Sequence, residues 1–441
     1  MRPVLSRFLS EQGMVVVLVL LCAFFSVVTL SEQSPTGAAA ARQVMAQLRA
    51  GGAAPAAVLV AASDQPDDAA FVASVRERWG GPNEQTLVVV QGEPSAARAT
   101  LEQWAGTGKR LDAVLCTRVS GSWRVFSDLK KDFPTLGNPR VITPGTYRWP
   151  NFLKTENLLN IANQIAVIAM VAIGMTMVIV TGGIDLSVGS LIALSAVLAA
   201  GFIRDFAGGV GATVGGMILA CGVAVVACGI VGLFSGLMIT RFAIPPFIVT
   251  LAMMLVGSGL AYILAKGQSI YQIPDSFVWL GRGADLLGLP NAVILMLGLY
   301  GMAHVVMSRM RLGRHLYAVG GNREAARLSG VPVERVLLFA YVASAMLAGV
   351  GGVIMASQLK SGSPTYGAMY ELYVIAAVVV GGASLSGGEG KMFGTLTGAF
   401  TIAVIQNGMN LTNVESYTQK VVLGLVILGA VLLDRMRQRG V

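Results

Sequence analysis

Histidine is almost missing from this chain of 441 residues: His304 and His315 are its two, and neither falls in a nucleophile–base motif, so the sequence offers no hydrolytic centre. Cysteine is nearly as scarce. Cys22, Cys221 and Cys228 lie in hydrophobic stretches and Cys116 stands alone in its segment, which excludes a disulfide framework and a cysteine-based metal site. No metal and no cofactor are expected. Charge is sparse too: 12% of residues are charged against 54% hydrophobic, with 54 glycines. That balance belongs to polytopic membrane proteins rather than soluble enzymes.

What is present is a succession of apolar runs. Crossing a ~30 Å hydrocarbon core takes about 20 helical residues, and ten segments approach or exceed that length: 14–30, 161–182, 186–203, 210–239, 246–265, 291–308, 336–356, 372–385, 393–410 and 417–434. The eighth is too short to cross simply, and its Gly-rich ending predicts a broken or re-entrant helix, tolerated only where backbone is buried in protein or lines a wet cavity. Arginine and lysine collect on the cytoplasmic side of short loops. With the amino terminus inside, Arg2, Arg7, Arg241, the six arginines from Arg309 to Arg335, Lys391, Arg435, Arg437 and Arg439 fall inside, 13 groups against five outside (Arg204, Lys266, Arg282, Lys360, Lys420). The net charge of +9 therefore reflects topology and implies no nucleic-acid partner. The first segment, Met14 to Leu30, reads as a retained helix, because "VVTLSEQSP" makes a poor cleavage site for a secretory signal.

The resulting fold class is a polytopic α-helical membrane protein of about ten transmembrane helices, with a small α/β domain inserted on the external side after the first helix. Residues 1–30 form the amino terminus and first helix, 31–155 the external insert, and 156–441 the membrane domain, with a cytoplasmic loop at 309–335. The insert carries 14 of the 32 basic groups and alternates strand-like runs (Ala56–Ser63, "QTLVVVQG", "DAVLCTRVSG", "PRVITPG") with helical ones (Asp67–Trp79, "PSAARATLEQWAGTGKR", "WRVFSDLKKDF"). Such alternation predicts a three-layer α/β unit with a mostly parallel sheet. One stretch, "PSAARATLEQWAGTGKRLDAVLC", weakly resembles a segment of periplasmic sugar-binding proteins; at half their size, the insert reads as a degenerate or docking domain rather than a complete binding site.

Two Gly-rich stretches invite a chemical reading. "LSGGEGK", Leu385 to Lys391, resembles the signature of ATP-binding-cassette ATPases followed by the end of a phosphate loop, but a phosphate loop needs Gly where Leu385 stands and a hydroxyl where Met392 stands. It reads as a turn between packed helices. In "VTGGIDLSVGS", Val180 to Ser190, an acid at the junction of two hydrophobic segments must face a cavity, a partner or water. Gly182, Gly183 and Gly189 permit close backbone approach, Ser187 and Ser190 are candidate caps for the helix that follows, and Asp185 stands open between a structural cap and a transport role.

"VTGGIDLSVGS" also resembles the signature of the permease subunits of bacterial ATP-binding-cassette sugar importers, the ribose, xylose and galactose type within the branched-chain amino acid permease superfamily. "IPPFIVTL", "GGNREAARLSGV", "ELYVIAAVVVGGASLSGGEGKMFGTLTGAF" and "IQNGMNL" agree, over roughly residues 150–437. The resemblance implies a multi-pass inner-membrane permease, residues 31–155 periplasmic, that imports a monosaccharide by alternating access. It implies as partners a cytoplasmic ATPase, a periplasmic sugar-binding protein and a second permease copy. It makes "GGNREAARLSGV", in the longest cytoplasmic loop, a helix that docks in the ATPase, with Gly321, Asn322, Glu324, Ala325, Ala326 and Gly330 as coupling residues.

Gln164, Asn407 and Asn410 are amides within hydrophobic segments, positioned either to line the solute route or to bond a neighbouring helix. Gly211xxxGly215, Gly232xxxGly236 and Gly394xxxGly398 predict close helix contacts. An ion-coupled carrier calls for intramembrane carboxylates and an internal inverted repeat; Asp185 is the one strong acid of this kind, and no repeat is evident. A membrane-anchored sensor would not need nine further helices. A permease for branched-chain amino acids is the remaining alternative.

Overall fold

The computed structural model describes residues 2–50, 57–79, 87–286 and 288–438, with side chains described between residues 13 and 432. Arg439 of the basic tail, and Ala56, Gln85 and Thr86 at the starts of two expected strands, lie outside the described residues. The chain divides into two compact units, Leu30–Pro150 and the remainder on either side of it.

Helix α1 (Arg2–Val28) leads into β1 (Leu30–Gln33), α2 (Gly37–Ala50), β2 (Val58–Ala62), α3 (Pro66–Arg78), β3 (Leu87–Gln91), α4 (Pro94–Gly106), β4 (Ala113–Cys116), α5 (Leu129–Asp132), β5 (Arg140–Ile142) and β6 (Tyr147–Pro150). Strands β1 and β6 pair antiparallel as a stem, Leu30 opposite Pro150 and Gln33 opposite Tyr147. The other four form a parallel sheet in the order β3-β2-β4-β5. Alternation along β2 sends Val58, Val60 and Ala62 to one face, against Val44 and Leu48 of α2 and Phe71 and Val75 of α3. Leu59 and Ala61 go to the other, against Ala97 and Leu101 of α4. The expected helix over "WRVFSDLKKDF" is instead a 3₁₀ turn at Arg124–Phe126 followed by the four-residue α5. Phe126, Leu129 and Phe133 have helical spacing and share one cluster, but Asp128 at φ −132° and ψ 42° breaks the helix between them.

The second unit continues with α6 (Thr155–Val180), α7 (Val188–Asp205), α8 (Val214–Arg241), α9 (Pro246–Leu264), α10 (Trp279–Arg282), α11 (Asn291–Arg309), α12 (Arg311–Gly321), α13 (Arg323–Leu328), α14 (Val333–Leu359), α15 (Tyr370–Val380), α16 (Met392–Leu411) and α17 (Ser416–Gln438). Among the described residues six helices, α6, α7, α8, α9, α11 and α14, are long and apolar enough to cross a membrane; Gly13–Val28, α15 and Ser416–Leu432 are shorter apolar helices. At the point where the insert begins and ends, Asn151 N–H donates to the Thr29 carbonyl (3.0 Å) and Phe152 N–H to Thr29 Oγ1 (3.1 Å).

Helix α14 packs against α6, α7 and α8, and glycine sets each approach. A Cβ at Gly174 of α6 would lie 2.5 Å from Ser344 Cα, one at Gly352 would lie 2.4 Å from the Ile192 carbonyl of α7, and one at Gly232 of α8 would lie 2.5 Å from Ala345 Cβ. Lipid tails supply no hydrophobic drive between helices, so such close van der Waals contact holds the bundle together. Of the three expected Gly-xxx-Gly pairs, Gly232/Gly236 and Gly394/Gly398 meet neighbouring helices, whereas Gly211 and Gly215 meet nothing within 4 Å. Gly211 ends a 3₁₀ turn outside α8, whose start is fixed instead by Thr213 Oγ1 accepting from Gly216 N–H (3.2 Å).

The short eighth segment stops at its Gly-rich ending, where α15 closes at Val380, and non-helical chain also precedes it. Helix α15 has 11 residues and is preceded by a strap of turns whose Ser361, Ser363 and Gly367 are buried. Gly362 and Gly367 let the strap lie along α7: their Cβ positions would fall 2.5 Å from the Ala196 carbonyl and 2.4 Å from the Gly189 carbonyl. Gly362 exchanges two backbone hydrogen bonds with Ile270 (2.8 and 2.9 Å), so non-helical backbone is satisfied inside the protein.

Candidate functional site

Helix α6 stops at Gly182, whose φ of +79° suits glycine. Gly182 N–H donates to the Ile179 carbonyl (2.8 Å) and Gly183 N–H to that of Val178 (3.1 Å), a left-handed helix stop. A Cβ on Gly183 would lie 2.3 Å from the Tyr341 hydroxyl. Two residues on, Asp185 is 2% exposed. Its Oδ1 accepts from Ser187 N–H (3.0 Å) and Ser187 Oγ (2.6 Å), and its Oδ2 accepts from Ser344 Oγ of α14 (2.8 Å). Burial pushes the Asp185 carboxyl up, while the donors from Ser187 and Ser344 pull it down. Asp185 thus ties the start of α7 to the middle of α14.

Neither serine caps α7. The Ser187 hydroxyl turns back to Asp185 and the Ser190 hydroxyl donates to the Ser187 carbonyl (2.8 Å), leaving no side-chain cap on the helix. Gly189 is required for a different reason, since its Cβ would lie 2.6 Å from the Gly367 backbone carbonyl.

The turn after α15 repeats this construction. Gly382 N–H donates to the Val379 carbonyl (2.9 Å) and Ala383 N–H to that of Val378 (3.1 Å), and Ser386 N–H donates to Ser384 Oγ (3.2 Å) as Ser187 N–H does to Asp185. The sequences share Gly-Gly-x-x-Leu-Ser-x-Gly, at 182–189 and 381–388, one residue out of register with the helix stops, whose left-handed glycines are Gly182 and Gly382. The turns also touch: Gly388 N–H donates to the Val180 carbonyl (2.8 Å). That amide and Gly387 N–H, bonded to the Ser384 carbonyl at 3.1 Å, are engaged inside the protein, so "LSGGEGK" forms no phosphate cradle.

Helix α12 closes the cluster. A Cβ on Gly320 would lie 1.7 Å from the Val180 carbonyl and 2.6 Å from Gly388 N, and the Tyr317 hydroxyl donates to the Gly390 carbonyl (2.6 Å). One residue past Gly321, Asn322 caps α13 by accepting from Ala325 N–H (2.9 Å). Gly330, at φ +80°, follows its end. Glu324 and Ala325 are exposed and Ala326 is buried as the anchor. Leu328, which sequence reasoning missed, is 87% exposed; an apolar residue among arginines and a glutamate was the available signal.

The three predicted amides do not converge. Asn407 and Asn157 exchange two amide hydrogen bonds (3.0 and 2.9 Å), and Asn410 Oδ1 accepts from Gln419 Nε2 (2.8 Å). Gln164 instead lines a cavity of about 250 Å³ between α6, α14, α15 and α16, together with Gln358, Gln406 and Tyr370, none of which was singled out from sequence. Among the described residues no group of three or more His, Cys, Asp or Glu is placed to hold a metal ion.

Residues 157–431 match the family described as the branched-chain amino acid transport system / permease component. The chain is similar to the ribose import permease protein RbsC of Bacillus subtilis (44% identity, covering 65% of this chain and 87% of the relative) and to that of Escherichia coli K12 (41%, 66% and 88%). It is also similar to the L-arabinose transport system permease protein AraH of Escherichia coli K12 (38%, 66% and 86%). No solved structure matches it.

Proposed function

The chain belongs to the branched-chain amino acid transport system permease component family, and from that membership we propose that it is the membrane permease subunit of an ATP-binding-cassette importer for a monosaccharide. It is a transporter subunit and not an enzyme; ATP hydrolysis resides in a partner chain. The identity shared with two ribose permeases over most of their length carries the sugar assignment, and a branched-chain amino acid is the solute it displaces. The basic-loop bias supports ten crossings with the amino terminus inside, which puts Leu30–Pro150 outside the cell membrane and α13 in the cytoplasm.

In this reading α13 docks in the ATPase. Its exposed Leu328, Glu324 and Ala325 form the docking face, and Asn322 and buried Ala326 fix its position. Movement of α13 reaches the bundle through Gly320, which abuts both Gly-rich turns at once. From there it has two outlets, α7 through the Asp185 turn and α16 through the turn after α15. Two permease copies enclose the path, a periplasmic binding protein delivers the sugar, and ATP-driven movement opens the path alternately to each side. Glycine backbones in direct contact transmit displacement with no flexible side chain between them.

An ion-coupled carrier finds less support, because Asp185 is 2% exposed and held by three donors. Co-purification tests the assignment: the ATPase partner should be retained by the wild-type chain and lost from Glu324→Arg and Leu328→Asp, whereas equal retention by all three would remove α13 from the interface.

A further inference from the structure

The cavity between α6, α14, α15 and α16 lacks charge altogether: its lining is Gln164, Gln358, Gln406 and Tyr370 over apolar walls that include Ile165 and Ile168. The amides of α6, α14 and α16 divide into two groups. Those of Asn157, Asn407, Asn410 and Asn163 are engaged with neighbouring helices. The side chains of Gln164 and Gln406, by contrast, hydrogen-bond to no described residue, and neither does the Tyr370 hydroxyl, although its ring packs edge-on to Tyr373 with centroids 6.2 Å apart. Gln358 uses its Nε2 on the Asn163 carbonyl (3.0 Å), which fixes the side chain and leaves its Oε1 as an acceptor.

Gln164 is exposed and Gln358, Gln406 and Tyr370 are half-buried, so polar groups with no protein partner line an accessible cavity where water or a solute can meet them. Resting on the importer reading above, we propose that this cavity is a solute-binding subsite of the translocation path, selective for a neutral polyol of monosaccharide size. A carboxamide offers two donors and an acceptor with two lone pairs, which suits vicinal hydroxyls that both donate and accept. Tyr370 adds a hydroxyl and an aromatic edge. The volume of about 250 Å³ falls just below the ~300–1,000 Å³ of sites for drug-sized ligands, room for one small sugar and little else. A zwitterionic amino acid or a phosphorylated sugar would leave its charges without a partner here, which disfavours both. The signal escaped sequence reading because the four residues come from four helices, and Gln406 stands directly beside Asn407, whose amide serves packing.

The test uses the complete complex, this chain with its ATPase and binding protein, in proteoliposomes. Uptake of radiolabelled ribose, arabinose and leucine is followed alongside ATP hydrolysis stimulated by loaded binding protein. The wild-type complex should take up a pentose and not leucine. Gln164→Ala and Gln406→Ala should each lower pentose uptake roughly tenfold, the effect expected when a solute loses a hydrogen bond and a buried group is left unpaired, with stimulated hydrolysis within about twofold of wild type. Gln406→Asn should recover part of the loss. Tyr370→Phe, which deletes one hydroxyl, repeats the test if an alanine variant does not assemble. Wild-type pentose uptake by variants that hydrolyse ATP normally overturns the subsite and leaves the importer reading intact. ATP-dependent uptake of leucine but no pentose by the wild-type complex overturns both.

Discussion

Gly320 stands against Val180 so closely that a Cβ on the glycine would lie 1.7 Å from the Val180 carbonyl oxygen. No rotamer relieves such a clash, because a Cβ has no torsional freedom. Gly320→Ala must therefore push α12 away from the two turns. Overpacking of this kind costs about 1–3 kcal/mol, so the thermal midpoint should fall by several degrees in detergent. The stronger effect should be functional, with sugar imported per ATP hydrolysed dropping further than hydrolysis itself. Gly321→Ala, where a Cβ meets nothing within 4 Å, is the matched packing control and should leave the thermal midpoint unchanged.

Asp185 separates a holding role from a charge-carrying one. Asp185→Asn keeps a carbonyl oxygen for the Ser187 N–H and turns an amide donor toward the Ser344 hydroxyl, which can accept. Uptake should persist at a substantial fraction of wild type. Asp185→Ala strands the buried Ser344 hydroxyl and the Ser187 amide, and leaving such groups unpaired costs about 1–3 kcal/mol each. It should lower the thermal midpoint clearly below that of the asparagine variant. Equal loss of transport in both variants, at normal stability, would assign the charge itself a role.

Asn407 is expected to act on stability and not on transport. Asn407→Ala breaks the reciprocal amide pair with Asn157 across two helices. Hydrogen bonds between membrane helices contribute roughly 0.6 kcal/mol on average, so unfolding in denaturant should shift slightly while uptake per folded complex is unchanged. The adjacent Gln406 should show the reverse pattern.

Much of this was legible in the sequence. "VTGGIDLSVGS", the loop at 309–335 and the apolar runs carry their information in consecutive residues, so the helix break before Asp185, the short helix α13 and the long helices could be read directly. Short-range reading failed where partners come from distant segments. Ser187 and Ser190 looked like helix caps because the reading had no access to Ser344, which shares Asp185 with Ser187. The eighth segment was correctly too short and its helix stops at the Gly-rich ending, after Val380, but the polar strap before Tyr370 has no apolar run to mark it. In the α/β unit, helix α2 was passed over although Ala40, Val44 and Leu48 recur at helical spacing and are buried together. There, alanine-rich composition hid an ordinary amphipathic pattern.

Topology can be checked with thiol labelling, since the four native cysteines are buried or half-buried. Lys109→Cys in the α/β unit, an exposed position, should react with a membrane-impermeant maleimide added to spheroplasts. Ala325→Cys on α13 should react only after the membrane is opened. The opposite pattern would invert the proposed orientation.

The most direct test of the central claim is uptake of radiolabelled ribose or arabinose into proteoliposomes containing this chain, its ATPase and its binding protein, compared with vesicles that lack the ATPase and carry an imposed proton or sodium gradient. The account predicts pentose uptake that requires internal ATP and the ATPase, and none from the gradient alone. Gradient-driven uptake in vesicles without the ATPase would contradict it.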